Sequence, residues 1–123
     1  MTRATTAKEL EYRAMAQRRW EEERKEATKR QEHAWEVARE AAQLLKEQFG
    51  ATRVVVFGSL VHRGCFTRWS DVDLAAWGLQ PEDTFRAIRA VMDLDEAIEV
   101  NLVDMGACRP SVRTVIEHEG IEV

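Results

Sequence analysis

The sequence predicts an α/β (α+β) fold in which a small mixed β-sheet with flanking helices follows a long N-terminal α-helix. Residues from about 7 to 49 contain neither Gly nor Pro and are rich in Glu, Ala, Arg, Lys and Gln, which is the composition of a helix. From residue 51 onward, short β-branched runs alternate with helical stretches. The 123 residues suit one compact unit. We divide it into an N-terminal helix, 1–50, and an α/β domain, 51–123.

The predicted first helix has a start signal, a stop signal and one apolar face. Thr6 followed by Glu9 is a capping box, and Gly50 stands where a helix normally ends. At 1.5 Å per residue, a continuous helix would be about 60 Å long. Five apolar residues recur at helical spacing in its last third: Ala34, Ala38, Ala41, Leu45 and Phe49. We therefore expect the last third to pack on the core.

The middle of this helix, residues 17–33, is nearly all polar apart from Trp20 and Ala27. Such a stretch either stands in solvent or contacts another chain, and the sequence favours neither reading. An apolar heptad repeat sustained over several turns is missing, which argues against a long coiled coil. A homo-oligomer formed through this helix and a partner-binding arm both remain open.

The second part of the chain is predicted to contain three strands, two helices and a possible edge strand. The strands are Arg53–Phe57, Asp71–Trp77 and Ile98–Asp104. One helix begins at Pro81 and runs to about Asp93, and another begins at Pro110. Gly58 and Ser59 should open a short helical turn after the first strand. Residues 120–123 could add a short strand at an edge of the sheet.

Composition limits the classes of function. The sequence has no apolar run long enough for a membrane span and no secretory leader, so we expect a cytoplasmic protein without a membrane partner. Cys65 and Cys108 match no zinc or redox pattern, and we expect reduced thiols. Residues 50–123 hold 7 Arg and 12 Asp+Glu, a balance of −5. That acidity argues against nucleic acid as a partner and suits a site that recruits cations.

Gly58 and Ser59 have the properties of a phosphate-binding turn. A strand that ends in Gly-Ser and turns into a helix presents free backbone N–H groups and a hydroxyl. Gly58 allows the backbone to approach a ligand closely, because it has no side chain. Ser59 can donate a hydrogen bond to a phosphate oxygen.

Asp71 and Asp73 are candidate metal ligands. Side chains alternate across a strand, so these two carboxylates should share one face. Two crowded carboxylates repel each other unless a cation lies between them, and Mg²⁺ prefers a few carboxylates together with substrate phosphate oxygens. Each signal is weak alone, but a Gly-Ser turn that leads to a strand with Asp-x-Asp is typical of metal-assisted attack on a polyphosphate.

The stretch VVVFGSLVHRGCFTRWSDVDLAAW resembles the minimal nucleotidyltransferases of the DNA polymerase β superfamily. The resemblance covers about residues 34–123, including the tail RPSVRTVIEHEG. It implies the nucleotidyltransferase fold, with Gly58 and Ser59 as nucleotide-binding residues and Asp71 and Asp73 as the catalytic, Mg²⁺-binding pair. It also implies ATP or another NTP as the substrate. Many members act beside a HEPN-domain protein, and some are antitoxins that transfer AMP from ATP to a HEPN toxin.

Two departures from the family pattern stand out. The spacer from Leu60 to Ser70 is eleven residues, one more than usual, which a loop easily absorbs. More seriously, Asn101 occupies the position of the third catalytic carboxylate, and an amide cannot act as a general base. Glu99 shares the predicted strand face of Asn101 and could substitute for it, whereas Asp104 should face away.

The sequence therefore predicts an enzyme that transfers a nucleotidyl group, AMP by resemblance, from an NTP to an acceptor on a partner protein, in a toxin–antitoxin type of pair. The partner implied by the resemblance is a HEPN protein. The alternative is a nucleotide-binding or regulatory subunit whose transferase activity is weak or lost because of Asn101. Trp69 precedes the aspartates and could stack on a base, but we expect it to pack against the rest of the protein.

Overall fold

The fold is taken from a computed structural model that describes residues 6–123. The first five residues of the predicted N-terminal segment, 1–50, lie outside the described residues. None of the helices in the described part is long and apolar enough to cross a membrane. Both cysteines are free thiols.

Helix α1 (Ala7–Phe49) is continuous over 43 residues, as predicted. The Thr6 hydroxyl accepts a hydrogen bond from the Glu9 N–H at 3.2 Å, so the predicted cap is formed. Gly50 ends the helix in the left-handed region with a φ of 71°, and its N–H donates to the Leu45 carbonyl. The stretch from residue 7 to residue 29, which we call the arm, is exposed to solvent apart from partial cover of Glu9. The last third packs on the sheet through Ala34, Val37, Ala38, Ala41, Ala42 and Leu45.

The sheet is mixed and has four strands in the order β3-β2-β1-β4. The strands are β1 (Arg53–Phe57), β2 (Val72–Trp77), β3 (Val100–Asp104) and β4 (Ile121–Glu122). Strand β1 runs antiparallel to β2 and β4, whereas β2 and β3 are parallel. Strands β2 and β3 begin one and two residues later than predicted, because only the backbone from Val72 and Val100 onward forms the regular ladder.

Two helices complete the fold. A 3₁₀ turn (Pro81–Asp83) leads into α2 (Thr84–Met92), so the predicted helix from Pro81 begins with a tighter turn and ends one residue before Asp93. Helix α3 (Pro110–Glu119) begins at Pro110 as predicted. Gly120 follows α3, and the chain then enters the short edge strand β4.

The two faces of the sheet are covered differently. Val54, Val56, Leu74 and their neighbours on one face pack against α1 and α2, and we call this the α1 face. On the other face, which we call the α3 face, a small cluster is formed by Val55, Ala75, Met105 and Ile116. Side chains alternate along β2, so Asp73 lies on the α3 face together with Ala75.

The expectation that the Trp69 side chain packs against the rest of the protein was wrong. Its side chain is 80% exposed, and its ring lies 4.9 Å from the Arg68 guanidinium. The cause is a turn in the loop before β2, in which the Ser70 N–H donates to the Thr67 carbonyl at 3.1 Å. The turn places Trp69 at its tip, on the solvent side. The Ser70 hydroxyl accepts a hydrogen bond from the Thr67 N–H at 2.9 Å, so this serine helps to hold the loop in place.

Candidate active site

The glycine-serine turn and the second aspartate are in direct contact. Phe57 at the end of β1 is paired with Asp73 on β2, so Gly58 begins its turn beside that carboxylate. A Cβ atom added to Gly58 would lie 3.3 Å from Asp73 Cγ and would overlap Asp73 Oδ2. Gly58 also has a φ of +75°, which L side chains rarely adopt. Glycine is therefore required here both by the backbone conformation and by the approach of Asp73.

Asn101 joins the two aspartates from the neighbouring strand. The parallel register pairs Asp73 with Asn101. The Asn101 amide nitrogen donates to Asp71 Oδ2 and to Asp73 Oδ1, at 3.4 Å in each case. Both bonds are long, which indicates weak hydrogen bonding. The amide nevertheless places partial positive charge between two carboxylates that would otherwise repel each other.

The environment of Asp73 makes its carboxyl group harder to ionise than a carboxyl group in water. Burial raises the pKa of Asp73 above its ordinary value, and the nearby charge of Asp71 raises it further. The hydrogen bond from Asn101 acts in the opposite direction but does not cancel these effects. A half-buried carboxylate beside a second carboxylate is the electrostatic setting in which a cation is most stabilising.

Of the two possible substitutes for a third carboxylate, Asp104 lies on the wrong face. Its Oδ2 accepts a hydrogen bond from the Thr84 hydroxyl at 2.9 Å, and its Oδ1 accepts from the Gly106 N–H at 2.9 Å. Asp104 therefore holds the start of α2 and the turn after β3. It faces away from Asn101, as its odd spacing predicted. Glu99 is exposed just before β3. It lies two residues before Asn101, a spacing that puts two strand residues on the same face.

The turn that contains Ser59 is short. Gly58–Val61 forms a single 3₁₀ turn of four residues, as the sequence predicted, and Ser59 is half-buried in it. Within residues 6–123 the Ser59 hydroxyl makes no hydrogen bond, so it is available to a ligand. Because the turn is so short, any binding of phosphate here depends on individual N–H groups and this hydroxyl rather than on a helix dipole.

The donor set fits Mg²⁺ but is sparse. Among the described residues, no group of three or more His, Cys, Asp or Glu side chains is arranged to hold a metal ion. The site instead offers two carboxylates and one amide, whose oxygen would face the same space if the amide turned over. Mg²⁺ usually binds one or two carboxylates and takes its remaining ligands from water and substrate phosphates. Asp71 and Asp73 satisfy that requirement.

One further residue beside the site was not singled out from the sequence. Arg30, at the base of the arm, reaches the loop that leads to Asp71 and donates to the carbonyls of Thr67 and Ser70. It lies 37 and 40 residues from these partners in the chain. Nothing local distinguishes Arg30 from the other arginines of the polar stretch, so only the fold could show this contact.

A nucleotidyltransferase-like fold is defined by this strand order, by the long packed helix and by the turn beside the aspartates. No protein-family model matches the sequence, and no curated protein matches it either. Among solved structures, the chain is similar to one in a mutant of the toxin–antitoxin pair MntA–HpeT. That match has a TM-score of 0.57 and 19% identity, and it covers 69% of each chain. The chain is also similar to a protein from Sulfolobus solfataricus assigned as a nucleotidyltransferase, with a TM-score of 0.51 and 20% identity over 78% of this chain and 84% of the other. These likenesses confirm the predicted fold.

Proposed function

We propose that this protein is a Mg²⁺-dependent nucleotidyltransferase that transfers AMP from ATP to a hydroxyl group of a partner protein. The observation that carries the proposal is the convergence of three elements: Gly58 touches Asp73, and one amide of Asn101 bonds to both Asp71 and Asp73. Turn, carboxylates and amide thus share one small site at the edge of the α3 face. The fold likeness to the Sulfolobus solfataricus protein assigned as a nucleotidyltransferase supports the same reaction.

In the proposed reaction, the acceptor oxygen forms a bond to the α-phosphorus of ATP and the bond from that phosphorus to pyrophosphate breaks. Asp71 and Asp73 would hold Mg²⁺, which when bound offsets the negative charge of the phosphates. Ser59 and the N–H groups of its turn would bind the departing phosphates. The proton of the acceptor hydroxyl must pass to a base, and Asn101 cannot take it. Glu99 is proposed for that role, because it lies two residues before Asn101 and its side chain should fall on the same face.

Asn101 supports a second candidate function, a nucleotide-binding or regulatory subunit in which transfer is weak or lost. With an amide at this position the site keeps two carboxylates and can still bind Mg²⁺ and ATP, but it lacks the third negative charge. Its hydrogen bonds to both aspartates favour this reading, because they occupy the space between the carboxylates.

The partner in the proposal is a HEPN-domain protein that forms a toxin–antitoxin pair with this chain. The likeness to a chain of the MntA–HpeT pair supports the pairing. The exposed arm offers a surface for such a partner or for a second copy of the chain. A HEPN reading frame beside this one in the genome would be the simplest supporting observation.

The decisive experiment incubates the protein with Mg²⁺, the product of the neighbouring gene and ATP labelled in its α-phosphate. ATP labelled in its γ-phosphate is the control that separates nucleotidyl transfer from phosphoryl transfer. The variants are Asp71→Ala, Asn101→Asp and Glu99→Gln. Glu96→Ala, which removes an exposed carboxylate from the same loop region, is the matched control.

Transfer predicts α-label on the partner and no γ-label. Asp71→Ala should reduce labelling by roughly 100-fold or more, as expected for loss of electrostatic stabilisation in a site, and Glu96→Ala should not. If Glu99 accepts the proton, Glu99→Gln also slows transfer. The binding subunit predicts tight binding of Mg²⁺ and ATP with label only in Asn101→Asp, where a base can contribute roughly 10²–10⁴-fold. A helical adaptor with an inert domain predicts no ATP binding, and that result would end both proposals.

A further inference from the structure

Arg30 connects helix α1 to two separate loops beside the site. Its Nε donates to the Thr67 carbonyl at 3.3 Å and its Nη2 to the Ser70 carbonyl at 3.2 Å. Its Nη1 donates to the Ala97 carbonyl at 3.2 Å. All three nitrogens of the guanidinium are therefore engaged, each with a different backbone oxygen. The same group lies 5.9 Å from the centre of the Phe66 ring.

These carbonyls belong to the two segments that lead into the site. Ser70 immediately precedes Asp71, and Ala97 precedes β3, which carries Asn101. The segments also meet directly, because the Val72 N–H donates to the Glu99 carbonyl at 3.0 Å. Arg30 is thus a bridge across the start of the parallel pair β2–β3, on whose register the contact between Asp71 and Asn101 depends.

A second side chain of α1 holds the β3 side of this bridge. His33 lies one turn after Arg30, and its Nε2 atom is 2.9 Å from Asp95 Oδ1. Asp95 Oδ2 accepts from the N–H groups of Ala97 and Ile98 at 3.0 and 2.9 Å. Burial alone would raise the pKa of Asp95, but the hydrogen bonds from His33 and from these two N–H groups, with the charge of His33, hold it below its ordinary value. Ala97 is therefore restrained through both its N–H and its carbonyl.

The fold itself has little need of Arg30. It is half-buried, and two of its three hydrogen bonds are exposed to solvent, where water can replace the guanidinium. The apolar packing of α1 begins only at Ala34. What Arg30 contributes that water cannot is a fixed fork geometry, which sets the separation of three oxygens at once.

We propose that Arg30 is a positioning residue: its guanidinium fixes the loop before Asp71 relative to the segment before β3, and so sets the spacing of Asp71 from Asn101 for cation binding. The inference rests on the proposed function, since the cation is the one proposed for Asp71 and Asp73. It also assigns a role to the base of the arm, because anything that moves α1 at Arg30 would change the site.

The test measures Mn²⁺ binding by electron paramagnetic resonance, with Mn²⁺ as a probe for Mg²⁺, and needs no acceptor. The full chain is compared with Arg30→Ala, Arg30→Lys, Asp71→Ala and Arg39→Ala. Arg39 is an exposed arginine of the same helix that makes no hydrogen bond or ion pair with any of residues 6–123, so Arg39→Ala is the matched control. Thermal unfolding and amide hydrogen exchange are measured on the same samples.

Arg30→Ala and Arg30→Lys should both weaken Mn²⁺ binding about tenfold, the loss typical of residues that orient metal ligands, whereas Arg39→Ala should not. Amide exchange should increase over residues 67–72 and stay unchanged in β1, and the Tm should remain within about 4 °C of that of Arg39→Ala. Arg30→Lys keeps the charge and the aliphatic stem, so it also decides the matter if Arg30→Ala fails to fold.

Binding by Arg30→Ala equal to that of Arg39→Ala would overturn the inference, and a loss in Asp71→Ala would still support the proposed function. Wild-type affinity in Arg30→Lys would also overturn it, because charge alone would then suffice. If the wild-type chain binds neither Mn²⁺ nor ATP, the proposed function is wrong and the positioning role falls with it.

Discussion

The two faces of the sheet differ in how completely they are packed, although the same four strands form both. On the α1 face a long helix and α2 bury a continuous apolar layer that includes Leu45, Val54 and Leu74. On the α3 face, the buried cluster found among residues 6–123 consists of Val55, Ala75, Met105 and Ile116, and Phe57, Trp77 and Val103 pack around it partly exposed. The aspartates lie on this thinner side. The larger apolar core and the candidate site therefore lie on opposite sides of one sheet.

The difference follows from alternation along β2. One set of side chains projects into the larger core: Val72, Leu74 and Ala76. The alternate positions project from the opposite face: Asp71, Asp73 and Ala75. A strand of this kind can hold two carboxylates near solvent while its other face anchors the fold. The variants expected to have the largest effect are therefore those that shorten a buried side chain on each face in turn.

Leu74→Ala should cause the largest loss of stability, about 3 kcal/mol within the usual range of about 2–5 kcal/mol, because α1 and α2 hold the surrounding layer rigid. Ile116→Ala should cost less, because its cluster is small and its partly exposed neighbours can relax into the space. Urea unfolding of both variants measures the difference. An equal or greater loss for Ile116→Ala would contradict the assignment of stability to the α1 face.

Gly58→Ala should have an intermediate effect on stability and a large effect on the site. A side chain at a φ of +75° costs about 1–2 kcal/mol, and the new Cβ would displace the Asp73 carboxylate. Gly64→Ala is the matched control, because Gly64 has a φ of +79° and open space within 4 Å of its Cβ. Both variants should lose similar stability in denaturant, but only Gly58→Ala should lose Mn²⁺ binding. Equal binding by the two variants would show that Mn²⁺ binding does not depend on the Asp73 carboxylate beside Gly58.

Asp73→Asn should have the smallest effect on stability, and the size of that effect should depend on pH. Because the pKa of Asp73 is raised on folding, the folded state holds this proton more tightly than the unfolded chain. The contribution of this proton to folding stability is fully present below the ordinary pKa of 3.8 and is lost as the pH rises through the pKa of the folded state. Ionised Asp73 therefore lowers the stability of the folded state at neutral pH. In a metal-free buffer, Asp73→Asn should exceed wild type in stability at pH 7, by less than about 1 kcal/mol because the carboxylate is only half-buried.

Denaturant midpoints for the two proteins at several pH values test this prediction. The advantage of Asp73→Asn should shrink as the pH falls towards 3.8. The lowered pKa of Asp95 gives the opposite slope, with stability lost as the pH falls, but it does so equally in both proteins and cancels in the comparison. An advantage that does not change with pH would indicate a packing effect instead.

Much of the fold could be predicted because its signals are local. The capping box at Thr6, the glycine at position 50 and the β-branched run of β1 each specify a boundary within a few residues. The grouping of Asp71, Asp73 and Asn101 was also accessible, since strand parity and strand order decide which side chains meet. The roles proposed for these residues remain predictions.

What the sequence could not predict depends on long-range or fine loop geometry. The bridge made by Arg30 joins residues 37 to 67 positions apart, and no periodicity marks an arginine that will meet three carbonyls. Trp69 was expected to pack because a large aromatic side chain offers much apolar area to bury. Its exposure is decided by the turn from Thr67 to Ser70, whose hydrogen bonds cannot be read from composition.

The parallel pairing of β2 with β3 has a consequence for access. Parallel neighbours need a crossover, and here α2 makes it, packing through Ala87 and Val91 into the α1-side layer. Crossovers of this kind are right-handed in nearly all proteins, so for a given strand order the helix can occupy one side only. The chirality of L-amino acids thus keeps α2 on the face of the sheet opposite the aspartates.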